Sequence, residues 1–285
     1  MPEKITLMVP VYNEYEQLHK TWRMRHFLEP LKLWVQKDPH NRQLFFVNDR
    51  STDKTKEFLE KQGFRVIPSH PKGKNLGKGG AVMAGVKYFA NQLKRTPGTT
   101  NTTKLRNATI VILDADIMFL KPEQIETLTT ELRKRKLNMV IAKQTEGDNR
   151  HFAIKDHSGS KAIRMDSFTP FLAQGKKTDK WIELTRGMGL EIGLNALIPN
   201  NAFSQKIDFQ TEDAFRVVSS IKQATEMQAT RKKVEERKQL ARQIMSELDK
   251  TKKFRPKGHY RLNPETITKM QAKLKEQIRT KPHLR

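Results

Sequence analysis

The sequence predicts an α/β protein with a mostly parallel central sheet covered by helices, because short apolar runs alternate with helical patterns through the first half of the chain. Polar segments follow the first, second and fourth runs directly, as in α/β sheets that bind a ligand at their carboxyl edge. The predicted strands span 5–11, 43–47, 64–67, 108–113 and 137–143.

The segments between these strands carry the helical pattern. Pro122 stands in the first turn of one of them, where its missing N–H costs nothing. The predicted helices span 14–35, 52–62, 76–93 and 122–136, with a polar loop at 96–103. Further along we expect a loop at 144–157, helices at 160–172 and 181–197, and a short strand at 206–209.

Composition and charge divide the chain unevenly. An apolar fraction of 36% in 285 residues is low for a globular protein, so part of the length is expected outside the core. We predict an α/β domain at 1–213, with one half at 1–120 and the other at 121–213, and a basic helical extension at 214–285. The net charge of +24 attracts polyanions, and roughly half of it lies beyond residue 220.

Three absences in the sequence narrow the class of protein. No apolar run is long enough for a transmembrane helix, and the N-terminus lacks the apolar stretch of a signal peptide. Without cysteine there are no disulfides and no thiolate metal sites. We therefore expect a cytoplasmic protein. Its basic extension either presents a solvated helix face or rests on the anionic inner face of a membrane.

Two carboxylates, Asp114 and Asp116, follow the fourth predicted strand. Alternate residues of a strand point the same way, so both can approach one cation. Mg²⁺ or Mn²⁺ held there would neutralise the charge that builds on a departing diphosphate. The alternative is a solvated turn whose acids cap the next helix.

Three other residues have both a ligand-binding and a structural interpretation. Asp49 directly follows an apolar strand, which favours a ligand over an ordinary turn. Lys78 lies among glycines at a predicted helix start, where it can approach an anion, although close helix–sheet packing also explains the glycines. Glu14 serves either a ligand or the dipole of the first helix.

Candidate residues for a second ligand, here called the acceptor, lie in the half at 121–213. Lys161 and Arg164 fall on one face of a predicted helix, where they can hold a phosphate or simply be solvated. Glu191 stands in an apolar stretch, where an unpaired charge is costly, so it either has a structural partner or faces the acceptor.

Six short segments stand out in order along the chain: VPVYNE at 9–14, NDRSTDKT at 48–55, NLGKGGAVMAGV at 75–86, LDAD at 113–116, SGSKAIR at 158–164 and GMGLEIGL at 187–194. In sequence and spacing they resemble the motifs of family 2 glycosyltransferases of the GT-A fold. The last two are similar to the branch that includes polyprenyl-phosphate hexosyltransferases and glucosyl-3-phosphoglycerate synthases. The resemblance runs from about residue 5 to residue 209.

This resemblance implies a nucleoside-diphosphate sugar at the carboxyl edge of the sheet. Asp49 would contact the base, and Asp114 and Asp116 would hold Mg²⁺ or Mn²⁺. Asp116 and Glu191 would act in catalysis, and Lys161 and Arg164 would bind the acceptor phosphate. The residues that would also line the nucleotide-sugar site are Pro10, Tyr12, Glu14, Lys78, Asp114 and Ala115.

The motifs also depart from the family pattern. Asn48 replaces an aspartate, Arg50 replaces a glycine, and Met118 stands where the branch often has glutamine or histidine. A third metal ligand would then come from His151, from His157 or from water.

The resemblance, taken with these residues, implies a metal-dependent transfer of a hexose from a nucleoside-diphosphate sugar to a polyprenyl phosphate or a small phosphorylated acceptor. A hydroxyl acceptor needs a general base, with Glu191, Asp116 and Asp213 as candidates, whereas a phosphate is already ionised. Transfer to a saccharide hydroxyl, and nucleotide-sugar binding without turnover, remain alternatives. Nucleic-acid binding is disfavoured by an aromatic content of 7% and by the scarcity of aromatics in the basic extension.

Overall fold

A mixed sheet of seven strands forms the centre of the computed structural model, which describes residues 3–70, 75–95, 100–117, 119–145, 160–172, 194, 198 and 201–210. The strand order is β3-β2-β1-β4-β6-β5-β7. β6 runs antiparallel to β4 and β5, and the other pairs are parallel, so the predicted fold class is confirmed. The strands are β1 Lys4–Val11, β2 Arg42–Asn48, β3 Val66–Pro68, β4 Ala108–Ile112, β5 Met139–Thr145, β6 Lys161–Arg164 and β7 Asn201–Gln210.

Helices pack on both faces of this sheet. The α-helices are α1 Tyr15–Leu18, α2 Thr21–Arg23, α3 Glu29–Gln36, α4 Thr55–Lys61, α5 Gly77–Arg95, α6 Asn101–Arg106, α7 Pro122–Lys134 and α8 Thr169–Leu172. A π-helical segment, Met24–Leu28, joins α2 to α3, and a 3₁₀ segment, Met165–Phe168, precedes α8. Within the described residues, no helix is long and apolar enough to cross a membrane.

Alternating side chains of the strands divide the core into two apolar clusters. Val9 and Val111 pack with Trp34 of α3 and Leu128 of α7 on one face. The other face holds Met8, Ile110 and Ile112 beneath Val82 and Val86 of α5. Because successive strand residues point to opposite faces, one apolar run supplies both clusters, as expected for a sheet covered on both sides.

α5 lies very close to the sheet. A Cβ atom on Gly85 would lie 2.0 Å from the Met8 sulfur and 3.1 Å from Cγ2 of Val47. Glycine at this position therefore lets the helix backbone pack directly on β1 and β2. This contact fixes where the first turn of α5 meets the carboxyl edge.

The predicted helix at 14–35 is not continuous. Lys20 has an extended backbone with ψ 134°, which separates α1 from α2. Pro30 in α3 has no N–H to offer the carbonyl of His26, four residues before it, and that carbonyl instead accepts a hydrogen bond from the Leu120 N–H at 2.8 Å. A tertiary contact thus completes the backbone pairing that the helix lacks.

Two predicted elements differ from the structure, one in each half of the predicted α/β domain. The helix expected at 160–172 is the strand β6 followed by the 3₁₀ segment and α8, because a short buried apolar run does not distinguish strand from helix. The loop expected at 96–103 contains the start of α6, where the Thr100 hydroxyl accepts a hydrogen bond from the Thr103 N–H at 3.4 Å.

The strand predicted at 206–209 is confirmed and is longer, as part of β7. Of the helix predicted at 181–197, Leu194 is described and is helical. Gln144 and Thr145 belong to β5, and the rest of that predicted loop, 146–157, lies outside the described residues together with the basic extension at 214–285. The same holds for Met118, His151, His157, Glu191 and Asp213.

Candidate active site

Hydrogen bonds connect the turn after β1 to the turn after β2 at the carboxyl edge of the sheet. The Asn13 N–H donates to the Ser51 hydroxyl at 3.0 Å, and the Thr52 N–H donates to Oδ1 of Asn13 at 2.8 Å. Asn13 (φ 54°) and Arg50 (φ 65°) both have left-handed backbones, which glycine adopts at lower cost. The conformation of Arg50 explains why glycine is the usual residue in this motif.

The Asp53 carboxylate accepts hydrogen bonds from residues that follow each of these two turns. Its Oδ1 accepts from the N–H and the hydroxyl of Thr55, and its Oδ2 accepts from the Tyr15 N–H at 3.1 Å. Burial disfavours the ionised carboxyl, but these hydrogen bonds outweigh it and lower the pKa of Asp53. The neighbouring Glu14 N–H donates to the Thr55 hydroxyl at 2.8 Å, which fixes where the backbone of Glu14 enters the site.

Asp49 connects the end of β2 to the start of α5. It is only 3% exposed, and its Oδ1 accepts from the Ser69 hydroxyl at 2.6 Å and from the Leu76 N–H at 3.0 Å. The Asn75 side chain completes the connection, donating to the Asp49 carbonyl at 3.0 Å and accepting from the Gly77 N–H at 2.8 Å. Gly77 has φ 72°, so the glycine is required for this turn into the helix.

The acidic turn, which we define as residues 114–117, lies beyond the end of β4 at Ile112. Asp114 and Asp116 are therefore not alternate residues of a strand, so the expectation that strand geometry points both side chains the same way is wrong. The turn brings the Ile117 N–H to 3.5 Å from the Asp114 carbonyl, and Ala115 within it is buried. The Asp114 N–H lies 3.3 Å from the Ser160 hydroxyl beside β6.

Lys78 in the first turn of α5 forms an ion pair with the acidic turn. Its Nζ atom lies 2.5 Å from Oδ1 of Asp114, and the Asp114 side chain is 12% exposed. A cationic group from the first turn of a long helix therefore contacts the carboxylate that the sequence assigned to a metal. Such an arrangement can bind an anion and a cation side by side.

Lys161 and Arg164 are not neighbours on one face. Lys161 pairs with Ile112 close to the acidic turn and is fully buried, whereas Arg164 pairs with Thr109 toward the other end of β4. Residues three apart in a strand point to opposite faces. Because Arg164 instead forms a 2.5 Å ion pair with Asp166, the structure does not bring it to the site.

The remaining predicted residues of the nucleotide pocket lie at the same edge. Pro10 pairs with Val47 near the end of β1, and Tyr12 just beyond that strand is 47% exposed. Sequence reasoning missed Ser69 and Ser160. Ser69 directly follows β3, and a polar residue after a strand is the signal that would have revealed it.

Oxygen donors for a divalent cation come from the acidic turn. Carboxylates are the ligands that Mg²⁺ and Mn²⁺ prefer, so Asp114 and Asp116 fit such an ion, and Oδ1 of Asp114 already contacts a cationic group. Over the ranges that the structure describes, no group of three or more histidine and acidic side chains converges. The other ligands would be diphosphate oxygens or water.

Comparisons with known proteins place the chain among sugar-transferring enzymes. The model of the family described as "Glycosyl transferase family 2" matches residues 6–205, most of the chain. Among curated proteins, no sequence matches.

The solved structures similar to this chain include glucosyl-3-phosphoglycerate synthase from Mycobacterium tuberculosis in two complexes. The complex with Mn²⁺ and UDP-glucose has 16% identity and a TM-score of 0.42, covering 73% of this chain and 70% of that one. The complex with Mn²⁺, UDP and phosphoglyceric acid has 16% identity and a TM-score of 0.45, covering 73% and 69%. TarS residues 1–349 from S. aureus have 15% identity and a TM-score of 0.45, covering 73% and 60%.

Proposed function

The chain belongs to glycosyl transferase family 2, and from this membership we propose that it transfers a hexose from a nucleoside-diphosphate sugar to a phosphorylated acceptor with the help of Mg²⁺ or Mn²⁺. The observation that carries this proposal is the ion pair between Lys78 and Asp114. It joins two of the motifs, the glycine-lysine helix start and the acidic turn, where a metal–diphosphate would need both charges.

The nucleotide would occupy the edge formed by the ends of β1 and β2. Asp49 is held by two hydrogen bonds that both end on Oδ1, so a contact with the base would use Oδ2. Pro10, Tyr12 and Glu14 would line the other side of the nucleotide. The hydrogen bonds that Asp53 accepts from residues after both turns support this assignment, because a preorganised pocket loses little entropy on binding.

Asp114 and Asp116 would hold the metal. When bound, Mg²⁺ or Mn²⁺ stabilises the negative charge that develops on the leaving diphosphate. Lys78 would then donate hydrogen bonds to a diphosphate oxygen, and the backbone N–H groups at the start of α5 would add their partial positive charge. Ala115, buried between the two acids, would keep the turn close to the sheet.

A phosphorylated acceptor would lie on the other side of the acidic turn, beside the segment that carries the buried Lys161. Lys161 lies near the turn, and the segments 158–164 and 187–194 resemble the branch that acts on polyprenyl phosphates and small phosphorylated acids. An ionised phosphate needs no general base, and Glu191 would instead orient the acceptor. If the acceptor is lipid-linked, the extension at 214–285 would contact anionic headgroups at the cytoplasmic face of a membrane.

Thermal shift with a panel of nucleoside diphosphates and their sugars, with and without Mn²⁺, tests the proposal. A ligand that binds only the folded state raises the melting temperature by mass action. We expect one diphosphate to raise it strongly only with metal, and Asp116→Asn to remove that shift. Asp166→Asn, which changes an aspartate paired with Arg164 away from the site, should keep it. No metal-dependent shift with any nucleotide would contradict the proposal.

A further inference from the structure

Arg23, at the end of α2, is a cation with no exposed surface. Its guanidinium lies 4.9 Å from the ring centroid of Phe27 and 5.2 Å from that of Trp22. Aromatic faces attract such a cation, but they do not replace the hydrogen bonds that it loses on leaving water. The hydrogen-bond partners of Arg23 therefore indicate why a charge is buried here.

One of those partners is the acidic turn. Nη1 of Arg23 donates a hydrogen bond to the carbonyl oxygen of Ile117, a fully buried residue of that turn. The N–H of the same Ile117 points back to the Asp114 carbonyl at 3.5 Å. Arg23 thus binds one backbone group of Ile117, the residue whose other backbone group closes the turn carrying Asp114 and Asp116.

A second set of contacts joins the π-helical segment to Phe119 and Leu120, which lie just after the acidic turn. The His26 carbonyl, left without its helical partner by Pro30, accepts from the Leu120 N–H at 2.8 Å. The His26 ring also meets the Phe119 ring edge-on, with centroids 5.2 Å apart. Two hydrogen bonds and an aromatic contact therefore hold Ile117, Phe119 and Leu120 against α2 and the π-helical segment.

We propose that Arg23 is a positioning residue for the metal–diphosphate site, holding the acidic turn in the geometry in which both aspartates reach one cation. This rests on the proposed function. A buried charge is a poor source of stability, because apolar residues of similar volume often do as well. Arginine, in contrast to lysine, offers a planar group that stacks on an aromatic ring while its N–H fork holds a carbonyl.

Substitution of Arg23 tests the inference through ligand affinity. Groups that orient metal ligands typically contribute 10–100-fold to affinity, so Arg23→Met should weaken the binding of UDP or GDP with Mn²⁺ by roughly tenfold or more. Arg23→Lys should recover little, because lysine lacks the fork. The affinities are measured by isothermal titration with the full chain, choosing whichever diphosphate the wild type binds.

Arg42→Met is the matched control. Arg42 also stacks on an aromatic ring, Trp34 at 4.9 Å, donates to the Trp34 carbonyl at 3.2 Å and pairs with Glu126, but it lies at the amino end of β2. We expect its replacement to lower the melting temperature and leave the nucleotide affinity unchanged. Unchanged affinity in folded Arg23→Met would overturn the inference and leave the proposed function intact.

The other outcomes also decide between the two proposals. A wild type that binds no nucleotide in the presence of metal contradicts the proposed function itself. If neither Arg23 variant folds, hydrogen exchange of the wild type in increasing denaturant tests whether the segment that carries Arg23 and the acidic turn unfold together. Peptides 22–28 and 114–120 should lose protection in one step, and independent loss would overturn the inference.

Discussion

Lys78 and Asp114 come from separate motifs, yet Nζ of Lys78 lies 2.5 Å from Oδ1 of Asp114. The lysine neutralises the carboxylate in the position that we assign to a cation. A metal–diphosphate entering the site would replace this contact with two others, one from Asp114 to the metal and one from Lys78 to a phosphate oxygen. Lys78 should therefore weaken the binding of the metal ion alone and strengthen the binding of the diphosphate in the presence of metal.

Lys78→Met should therefore tighten the binding of Mn²⁺ alone and weaken the binding of the diphosphate. A partly buried ion pair contributes about 1 kcal/mol, so each change should be roughly fivefold. Titration calorimetry with Mn²⁺, and then with UDP or GDP at saturating Mn²⁺, measures both. Lys78→Arg keeps the charge and should change both affinities less. Weaker binding of Mn²⁺ alone to Lys78→Met would contradict a competition between Lys78 and the metal for Asp114.

Arg50 holds a left-handed backbone with φ 65°, and its side chain is exposed. Because this conformation costs an L-residue roughly 1–2 kcal/mol, Arg50→Gly should raise the free energy of unfolding, by about 1 kcal/mol after the entropy cost of glycine. Urea denaturation measures the change.

Lys136, with φ 50° in the turn after α7, provides the control. Lys136→Gly should stabilise by a similar amount and leave nucleotide binding unchanged. If Arg50→Gly destabilises the protein, backbone strain is not the main property of this position.

Asp53 should make the stability of the protein depend on pH in the acid range. Its folded-state pKa is below the ordinary aspartate value of about 3.9, so its contribution is fully present above that value. The contribution is lost as the pH falls from about 4 through the lower folded-state pKa. Urea unfolding of the wild type and of Asp53→Asn at several pH values measures this contribution. The difference in their free energies of unfolding should shrink as the pH falls. A difference that stays constant with pH would contradict this explanation.

Local sequence patterns predicted the elements whose cause is local. The apolar run of β4 and the glycine start of α5 sufficed to place both correctly. The helix expected at 160–172 failed because β6 exists only through pairing with β4 and β5, which a short run of residues does not reveal.

The same distinction holds for the candidate site. Asp49 and Lys78 lie where the motifs indicated, since Asp49 directly follows β2 and Lys78 lies in the first turn of α5. Arg164 does not, because its place depends on the antiparallel direction of β6. The contact of Arg23 with Ile117 joins residues far apart in sequence. Its acceptor is a backbone carbonyl, which every residue has, so no pattern of side chains in the sequence predicts it.

Electron paramagnetic resonance of Mn²⁺ tests the metal–diphosphate site most directly, because protein-bound Mn²⁺ loses the sharp signal of the free ion. We predict that the wild type with UDP or GDP removes far more of the free signal than protein or nucleotide alone, and that Asp114→Asn and Asp116→Asn each abolish this difference. An equal loss of signal in the wild type and both variants would contradict a metal held by these two aspartates.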